Sequence, residues 1–590
     1  MTFRSFGFLW TKIRRSRKFY SLVGLLLVMV CLGKLSGLLL GRSTSDSIID
    51  RLHAKHAVDG SVEQFPWNGE RICTEYFESL YAYDENWKIR GFFDQNTWFE
   101  PAQRIRESVR HLRLYGQCFL SNNATATALN SQDIENRLFP LLTRKLPIFT
   151  RWDGYSAEDI PKFDNDERDG EEYSSETKPD SGSFFWKKFK DGYRGRGIVV
   201  SLSDGVGVDE GKRLLRTLRL LGNALPIQFV HKGDLSEASI AELVDTGRGE
   251  LSIEIDSKDY RVDHPQELWF VNAKRCLTEG SSALFRSFYN KWLASLFNSF
   301  EEMILMDTDT VPFVSPNKLF ENKVYEANRA LFFQDRPIRE YTTKGSVRLY
   351  KGLMASDKEL ELFHFSNTSS LALRNPFFES RKKHVMESGL VTIDRSKHLP
   401  GLIMGAALHL WKMTSEPFHG DKELFWLGQL ISGNDKYGFN SFPAGAIGQI
   451  QFSGKNMNTE RICSTQLGHF DEDAQLLWVN SGLKTCKLAS WAYDFSRNQV
   501  LKHTFGSVDK IEEHYLSPVN IDGAIVPNKL VAKGRQKLSR GIFKQNRDLG
   551  CNGYFWCAYN SLINPLGTTV RFNDDQVKLI RNIVKIWNIN

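Results

Sequence analysis

The sequence predicts an α/β fold in which helices cover a mostly parallel central sheet. From residue 197 onward, short apolar runs alternate with segments of helical periodicity, the pattern of strand–helix–strand units. The run at residues 303–306 is apolar at every position, as expected for a strand buried on both faces. Acidic residues follow three of these runs, and in such sheets ligands bind beyond the carboxyl ends of the strands.

The predicted elements of this α/β region follow one another closely. Gly222, at the C-terminal end of the first helix, is a typical helix terminator. The aromatic stripe of the long helix at 284–300, including Phe285, Phe288 and Trp292, is expected to be core. In chain order, the predictions are a strand at 197–202, a helix at 209–221, a strand at 226–230, a helix after residue 236, a strand at 251–255, a helix at 284–300, and strands at 303–306 and 330–333.

Residues 19–41 are predicted to cross a membrane. They are apolar apart from Lys34, and about 23 residues suffice to span a bilayer with some tilt. Lys and Arg are frequent before this segment, whereas Arg42 is the one cation just after it, so the positive-inside rule places residues 1–18 in the cytosol. The alternative is a cleaved signal peptide, which the length of the segment disfavours. We expect a single-pass type II protein whose remaining chain lies in the lumen.

The luminal part is expected to comprise three regions. Residues 42–70 are polar and pattern-poor, as in a stem. Residues 71–190 form an N-terminal region with helical periodicity, and within it the acidic segment 153–183 is expected to be an exposed insert. Residues 191–590 form the main α/β domain.

Charge and cysteines exclude some functions. The net charge of the 590-residue chain is +7, much of it near the N-terminus, and there is no basic stripe interleaved with aromatics, so we predict no nucleic-acid partner. Seven cysteines follow the predicted anchor; disulfides are expected in an oxidising lumen, one thiol must remain over, and the connectivity stays open. Asn123 and Asn367 lie in glycosylation sequons.

Asp307 and Asp309 are the central candidate site. Side chains alternate along an extended segment, so the two carboxylates point the same way and repel unless a cation lies between them. Carboxylate oxygens suit Mg²⁺ and Mn²⁺, which often bind through one or two carboxylates plus substrate phosphates. The alternative is a turn that merely follows a strand, since Asp and Thr are common there.

Two later motifs add candidates. Residues 419–423, His-Gly-Asp-Lys-Glu, place Asp421 and Glu423 before an aromatic helix start, which suits a sugar or acceptor site; the alternative is a capped helix with solvated charges. His469 lies in a Cys-Ser-Thr-Gln-Leu-Gly-His segment, and without context such a histidine is more often a surface residue than a metal ligand.

Together these segments resemble the fungal α-1,3-mannosyltransferases of glycosyltransferase family 71, type II Golgi enzymes that extend mannan chains. The resemblance runs from about residue 195 to residue 557. It rests on GRGIV at 195–199, LPIQFVHKGDLS at 225–236, NKWLASLFNSFEEMILMDTDTVPFV at 290–314, SGLV at 388–391, HGDKELFWLG at 419–428, CSTQLGH at 463–469 and CNGYFWCAY at 551–559.

The resemblance implies a GT-A-like catalytic domain over residues 191–590 that uses GDP-mannose and Mn²⁺. By this resemblance the pair Asp307 and Asp309 holds the metal against the diphosphate, and His469 is the candidate third ligand. Asp204 and Asp234 are expected near the guanosine. Asp421 and Glu423 are expected near the mannose and the acceptor hydroxyl.

The expected reaction is retaining transfer of mannose to an α-mannoside on a mannosylated glycoprotein in the Golgi. We expect front-face attack by the acceptor hydroxyl, and a covalent intermediate on Asp421 is the less favoured route. A complex with other Golgi mannosyltransferases is a further possibility. The alternatives are an α-1,2-mannosyltransferase, a transferase for another sugar nucleotide, or a non-catalytic luminal subunit of a mannan-synthesising complex; linkage, acceptor and nucleotide base stay open.

Overall fold

The computed structural model describes most of the chain after residue 43. The described residues are 44–58, 69–90, 102–121, 129–163, 184–255, 258–365, 370–453, 458–528 and 542–589. The predicted cytosolic tail 1–18, the predicted anchor 19–41 and both sequons lie outside these ranges. Within them, no helix combines the length and apolarity that a membrane span requires.

The described residues form twenty α-helices and twenty-one strands, numbered here in chain order. The helices are α1 Thr44–Val58, α2 Gly69–Tyr83, α3 Ala102–Tyr115, α4 Ser131–Leu138, α5 Phe185–Asp191, α6 Val206–Leu220, α7 Glu237–Arg248, α8 Asn290–Leu296, α9 Lys323–Asn328, α10 Lys344–Gly352, α11 Asp357–Phe363, α12 Ser370–Leu373, α13 Pro376–Ser380, α14 Arg395–Leu410, α15 Lys412–Ser415, α16 Lys422–Ile431, α17 Trp491–Arg497, α18 Gln499–Phe505, α19 Val508–Leu516 and α20 Asp574–Trp587. The strands are β1 Ile148–Arg151, β2 Ser156–Ala157, β3 Arg196–Ser201, β4 Ile227–His231, β5 Ser252–Ile255, β6 Lys258–Arg261, β7 Leu268–Asn272, β8 Glu302–Met306, β9 Thr310–Pro312, β10 Ala330–Gln334, β11 Met386–Asp394, β12 Gly438–Pro443, β13 Gly445–Gly448, β14 Gln451–Ser453, β15 Thr459–Ser464, β16 Leu467–Phe470, β17 Leu476–Asn480, β18 Gly523–Pro527, β19 Phe543–Gln545, β20 Trp556–Ser561 and β21 Gly567–Arg571.

The largest sheet is mixed, which corrects the prediction of a mostly parallel one. Its nine strands lie in the order β12-β10-β11-β8-β3-β4-β7-β1-β2. The pairs β12/β10, β8/β3, β3/β4 and β4/β7 are parallel, and the other four are antiparallel. The prediction missed this because hydrophobic periodicity reports burial and not strand direction. The parallel arrangement is confined to the contiguous β8-β3-β4-β7 centre and to the β12/β10 pair at one edge.

Most predicted strands and the first helix agree with the structure within a few residues, but the long helix at 284–300 is wrong. Only Asn290–Leu296 is α-helical there, and short 3₁₀ turns precede it. Ser287 has a φ of 52°, in the left-handed region, which interrupts the helix. Phe288, expected in the buried stripe, is therefore 47% exposed, whereas Phe285 and Trp292 are buried as predicted.

The region before residue 190 is part of the same core as the α/β domain. Helix α1 occupies most of the predicted stem and buries Ile48 and Ile49 in this core. On α3, the guanidinium of Arg113 is buried and donates to Glu359 Oε1 at 2.6 Å, and to the Ile431 carbonyl at the end of α16. Strand β1 also pairs with β7 of the large sheet. The N-terminal helices therefore brace the α/β domain.

A second sheet meets the first at the end of β8. Its order is β21-β18-β13-β16-β17-β9, and three residues separate the end of β8 from the start of β9. Three disulfides join Cys73 to Cys118, Cys463 to Cys557 and Cys486 to Cys551, and Cys276 is a buried free thiol, so one of the seven cysteines after residue 41 is left over as expected. The junction of the two sheets is where the candidate site lies.

Candidate active site

The turn at residues 307–310 joins the two sheets. Residues 303–306 of β8 are buried between β3 and β11, as their apolar sequence predicts. Asp307 N then donates to the Gly389 carbonyl, and Thr310 N donates to the Asp307 carbonyl, which closes the turn. Thr308 Oγ1 donates to the carboxylate of Glu210 on α6. Asp307 and Asp309 thus stand at the carboxyl end of a central strand, with the intervening Thr308 anchored to a helix.

Asp307 shares the ammonium of Lys291 with Asp421. Lys291 Nζ lies 2.9 Å from Asp307 Oδ1 and 3.0 Å from Asp421 Oδ2, and it donates to the Ser388 carbonyl at 3.0 Å. The lysine side chain is only 7% exposed. Burial disfavours its charge, but the carboxylates of Asp307 and Asp421 outweigh burial and raise the pKa of the ammonium. A buried cation is therefore fixed directly behind the turn.

Asp309 is paired with a second lysine, Lys487. Lys487 Nζ lies 2.9 Å from Asp309 Oδ2, and the two side chains are 33% and 22% exposed. Burial opposes the charge of Lys487, but Asp309 raises the pKa of the ammonium. Each carboxylate of the turn thus faces one ammonium group, and the Lys487 pair is more accessible to solvent than the Lys291 pair.

The carboxylate of Asp421 is buried. It accepts from Ser388 Oγ at 3.2 Å in addition to Lys291. A buried carboxylate needs such donors to offset its desolvation. Asp421 therefore orients Lys291 and offers no surface for the predicted contact with mannose or acceptor.

Glu423 is likewise inside the core. Its Oε1 accepts from the backbone N–H groups of Val385 and Met386 at 2.7 and 3.2 Å, and its Oε2 accepts from Trp426 Nε1 at 2.7 Å. No part of the residue is exposed. These bonds tie α16 to the start of β11. The alternative of a capped helix with solvated charges does not describe residues 419–423 either, because Asp421 makes no side-chain cap hydrogen bond to α16 and both acids are buried.

Asp204 and Asp234 lie together at the ends of β3 and β4. Asp204 N donates to the Asp234 carbonyl at 2.9 Å, and Ser236 donates to Asp204 Oδ1 through both its backbone N–H and its hydroxyl. These bonds lower the pKa of Asp204, whose carboxylate stays open to solvent. Because Val200 of β3 is in register with Met306 of β8, this acidic pair stands at the same end of the sheet as Asp307.

His469 lies in the core of the second sheet, away from a metal-binding arrangement. Its ring stacks on Trp478 with centroids 3.9 Å apart and meets the edge of Phe333. Burial lowers its pKa to about 3, and neither ring nitrogen has a hydrogen-bond partner within the described residues. Among all the residues that the structure describes, no group of three or more His, Cys, Asp or Glu is arranged to hold a metal. The structure thus does not bring His469 to Asp307 and Asp309.

The two lysines of the site were not anticipated. Lys291 is the sole charged residue of α8, whose other residues in the sequence NKWLASL are mostly apolar and buried, and a lone lysine in such a helix is a usable signal. Lys487 has no comparable pattern around it. Glu387, at the start of β11, is a third residue that the sequence analysis did not identify. Burial raises the pKa of its carboxyl group, although the charges of Lys422, Lys291 and Lys487 act to lower it.

The turn fits a divalent cation that takes further ligands from a substrate. Asp307 and Asp309 supply hard oxygen donors, and their side chains are partly exposed. Mg²⁺ and Mn²⁺ are commonly held by one or two carboxylates together with substrate phosphates. Since the described residues offer no third protein ligand beside them, the carboxylates suit an ion that enters with a diphosphate.

Comparisons with known proteins bear on this site. The family model described as "Mannosyltransferase putative" matches residues 195–471. The alpha-1,3-mannosyltransferase MNT2 of Saccharomyces cerevisiae is 33% identical over 551 residues, covering 88% of this chain and 93% of that protein. The alpha-1,3-mannosyltransferase MNT3 of the same yeast is 30% identical over 566 residues, covering 88% of this chain and 83% of that protein. The solved galactosyltransferase LgtC matches at a TM-score of 0.25 and 12% identity, covering 42% of this chain and 73% of its own, which is too weak to support a conclusion.

Proposed function

The chain belongs to the fungal α-1,3-mannosyltransferase family and is a mannosyltransferase, and from this premise we propose that it moves mannose from GDP-mannose to the 3-hydroxyl of an α-mannoside. The observation that carries the proposal is the turn with Asp307 and Asp309 at the end of β8, backed by Lys291. Two carboxylates at a strand end suit a diphosphate that arrives with a divalent cation.

We further propose a GT-A-like donor domain built on β3, β4, β7 and β8. These four strands are parallel, and α6 and α7 cover them through β3–α6–β4–α7 connections. In such sheets a ligand lies beyond the carboxyl ends of the strands. Asp204 and Asp234 are the candidates for the guanosine, because both stand at this end with solvent-accessible carboxylates.

Asp307 and Asp309 would hold Mn²⁺, which would offset the charge that develops on the departing diphosphate. The ammonium group of Lys291 holds the Asp307 carboxylate in place, and Asp421 in turn orients Lys291. The reaction retains the α configuration, and the transition state is oxocarbenium-like. An acceptor hydroxyl attacks the face that the diphosphate leaves, and a phosphate oxygen of the leaving group takes its proton. Because Asp421 is buried beside Lys291, this route needs no covalent intermediate on that residue.

The proposed setting is the Golgi lumen, with the chain anchored by residues 19–41 and with a mannosylated glycoprotein as acceptor. The apolar segment and the cations before it support the anchor. Three disulfides among the described residues support an oxidising compartment. A complex with other Golgi mannosyltransferases fits this setting.

Purified full-length chain, incubated with an α-linked mannobiose acceptor and a panel of sugar nucleotides, tests the proposal. We expect transfer from GDP-mannose that depends on Mn²⁺, and NMR of the product should show an α-1,3 linkage. Transfer from a different sugar nucleotide, or an α-1,2 linkage, would favour the alternative enzymes. Absence of both transfer and hydrolysis with every donor would favour a non-catalytic role in a mannan-synthesising complex.

A further inference from the structure

The loop at residues 480–487 lies against the Asp307–Thr310 turn. Asn480, the last residue of β17, pairs with Thr310 of β9, which directly follows Asp309. Seven residues later the same loop brings Lys487 Nζ to Asp309. We call residues 480–487 the lysine loop. One end of the loop thus pairs with the residue after Asp309, and the other end contacts the Asp309 carboxylate.

The lysine loop has a strained backbone. Ser481, Gly482 and Leu483 have φ values of 112°, 67° and 55°, three consecutive residues in a region that disfavours side chains. Such a conformation persists only where the surrounding structure holds it, and it is concentrated at functional sites. The hydroxyl of Ser481, a buried residue, has no hydrogen-bond partner within the described chain, and neither does Asn480 Oδ1. The packing of this loop therefore does not account for its positive φ angles or for its two polar atoms without hydrogen bonds.

The far end of the lysine loop is held firmly. Gln466 accepts from Leu483 N at 3.1 Å and donates to the Lys484 carbonyl at 2.7 Å. The disulfide between Cys486 and Cys551 ties the residue before Lys487 to a distant segment. The backbone of Lys487 is thus fixed, whereas its long side chain retains the freedom to redirect its ammonium group.

The two lysines at the turn differ in how they are held. Lys291 is almost fully buried and bonds Asp307, Asp421 and the Ser388 carbonyl. If its ammonium group moved away, the buried carboxylate of Asp421 would lose its counter-charge. Lys487 is one-third exposed, and within the described residues its single hydrogen-bond acceptor is Asp309. A partly exposed ammonium with one acceptor is exchanged more readily than a buried ammonium with three.

We propose that Lys487 is the diphosphate-binding cation of the donor site and that it neutralises Asp309 only until the donor binds. A diphosphate offers an ammonium group more negative charge and more acceptor oxygens than one carboxylate does. On donor binding, the ammonium moves to the diphosphate and leaves Asp309 free for the cation that accompanies it. The inference rests on the proposed function, because it requires a nucleoside diphosphate.

If this exchange occurs, removing Lys487 should change the affinities for Mn²⁺ and for GDP in opposite directions. Without Lys487, Asp309 is no longer neutralised, so Mn²⁺ alone should bind more tightly. The diphosphate loses an ammonium partner, so GDP should bind more weakly. A lysine that only stabilises the fold would weaken both ligands or neither.

Binding of GDP and of Mn²⁺ to the purified full chain provides the test. GDP affinity is measured by calorimetry at fixed Mn²⁺ concentration, and Mn²⁺ affinity without nucleotide by electron paramagnetic resonance of the free ion. For Lys487→Ala we expect GDP affinity to fall about tenfold, the effect of one lost charge-assisted hydrogen bond, and Mn²⁺ affinity to rise. Lys487→Arg should keep GDP affinity within about threefold, since it retains the charge. Lys510→Ala, which removes an exposed lysine of α19 outside this loop, should leave both affinities unchanged.

Unchanged GDP affinity in Lys487→Ala would overturn the inference, and so would parallel weakening of both ligands. If the alanine variant does not fold, Lys487→Gln keeps most of the aliphatic stem beside Tyr554 and carries the same expectation. Wild-type chain that binds neither GDP nor another nucleoside diphosphate would instead overturn the proposed function together with this inference.

Discussion

Asp307 and Asp421 lie far apart in the sequence, yet the single ammonium group of Lys291 stands 2.9 Å from the first and 3.0 Å from the second. Through this group the turn after β8 is tied to the start of α16. The contact explains why a buried helix of this protein carries a lysine. It also separates the two aspartates by role, because Asp307 is partly exposed and Asp421 is not.

Replacing Lys291 with methionine should destabilise the protein and abolish transfer. The substitution leaves the buried carboxylate of Asp421 without its cation, and breaking a buried pair in this way costs about 3–5 kcal/mol. The free energy of unfolding in urea measures the effect. Lys487→Met is the matched control, since that pair is partly exposed and should cost about 1 kcal/mol or less. Equal losses in the two variants would show that burial does not distinguish the two pairs.

Asp307→Ala should abolish mannose transfer while the chain remains folded. The side chain is one-third exposed, so its removal leaves a small cavity, and Lys291 keeps Asp421 as a partner. Activity per folded molecule, with folding followed by circular dichroism, is the measurement. Asp473→Asn, on an exposed turn, serves as the control of equal charge change. Turnover like that of wild type in Asp307→Ala would refute the role of this carboxylate in the donor site.

Glu423→Ala should act on stability rather than on chemistry. Its removal leaves three buried donors without an acceptor, the N–H groups of Val385 and Met386 and the indole of Trp426, at about 1–3 kcal/mol for each buried group. Denaturant unfolding should therefore show a large loss, whereas kcat per folded molecule should stay within about threefold of wild type. A fall in kcat without a fall in stability would return Glu423 to the sugar site.

The buried pair of Arg113 and Glu359 should make stability fall in acid. Burial alone would raise the pKa of Glu359, but Arg113 and Arg110 outweigh it and lower the pKa to about 2, against 4.5 for an unperturbed glutamate. The folded state therefore binds fewer protons than the unfolded state between these values. The stabilisation is complete above pH 4.5 and is lost as the pH falls toward 2, by about 3 kcal/mol in all.

Unfolding free energies of wild type and Glu359→Gln between pH 2 and pH 7 check this prediction. The glutamine variant cannot titrate at this position, so the gap between the two proteins should close as the pH falls. A gap that stays constant across this range would mean that Glu359 does not carry the acid dependence. The measurement also reports on the N-terminal helices, because Arg113 links α3 to α11.

The local motifs of the site were readable from the sequence because they are short-range. The apolar run at 303–306 predicted a buried strand, and the alternation of extended residues placed Asp307 and Asp309 after its end. The polar residues after β3 and β4 were likewise expected to share one end of the sheet, and Asp204 does contact Asp234 there. These inferences need only the geometry of neighbouring residues.

The structure differs from the sequence-based predictions in strand direction and in the partners of individual side chains. The antiparallel entry of β11 beside β8 has no sequence signal of its own, and it makes the sheet mixed. Histidine is a common metal ligand, yet the ring of His469 stacks on Trp478 in the core. Residues 419–423 form a cluster of charges in sequence, but the fold turns Asp421 and Glu423 inward toward separate donors.

By itself the sequence determined the α/β class, the strand that ends in two aspartates and the family to which the chain belongs, because periodicity and ordered motifs are properties of the linear chain. Only the tertiary structure decided which ammonium group faces each carboxylate. Lys291 and Lys487 reach Asp307 and Asp309 from a helix before β8 and a loop after β17, and such pairs depend on how distant segments pack. The ammonium groups that neutralise Asp307 and Asp309 are therefore set by packing, which local sequence patterns do not encode.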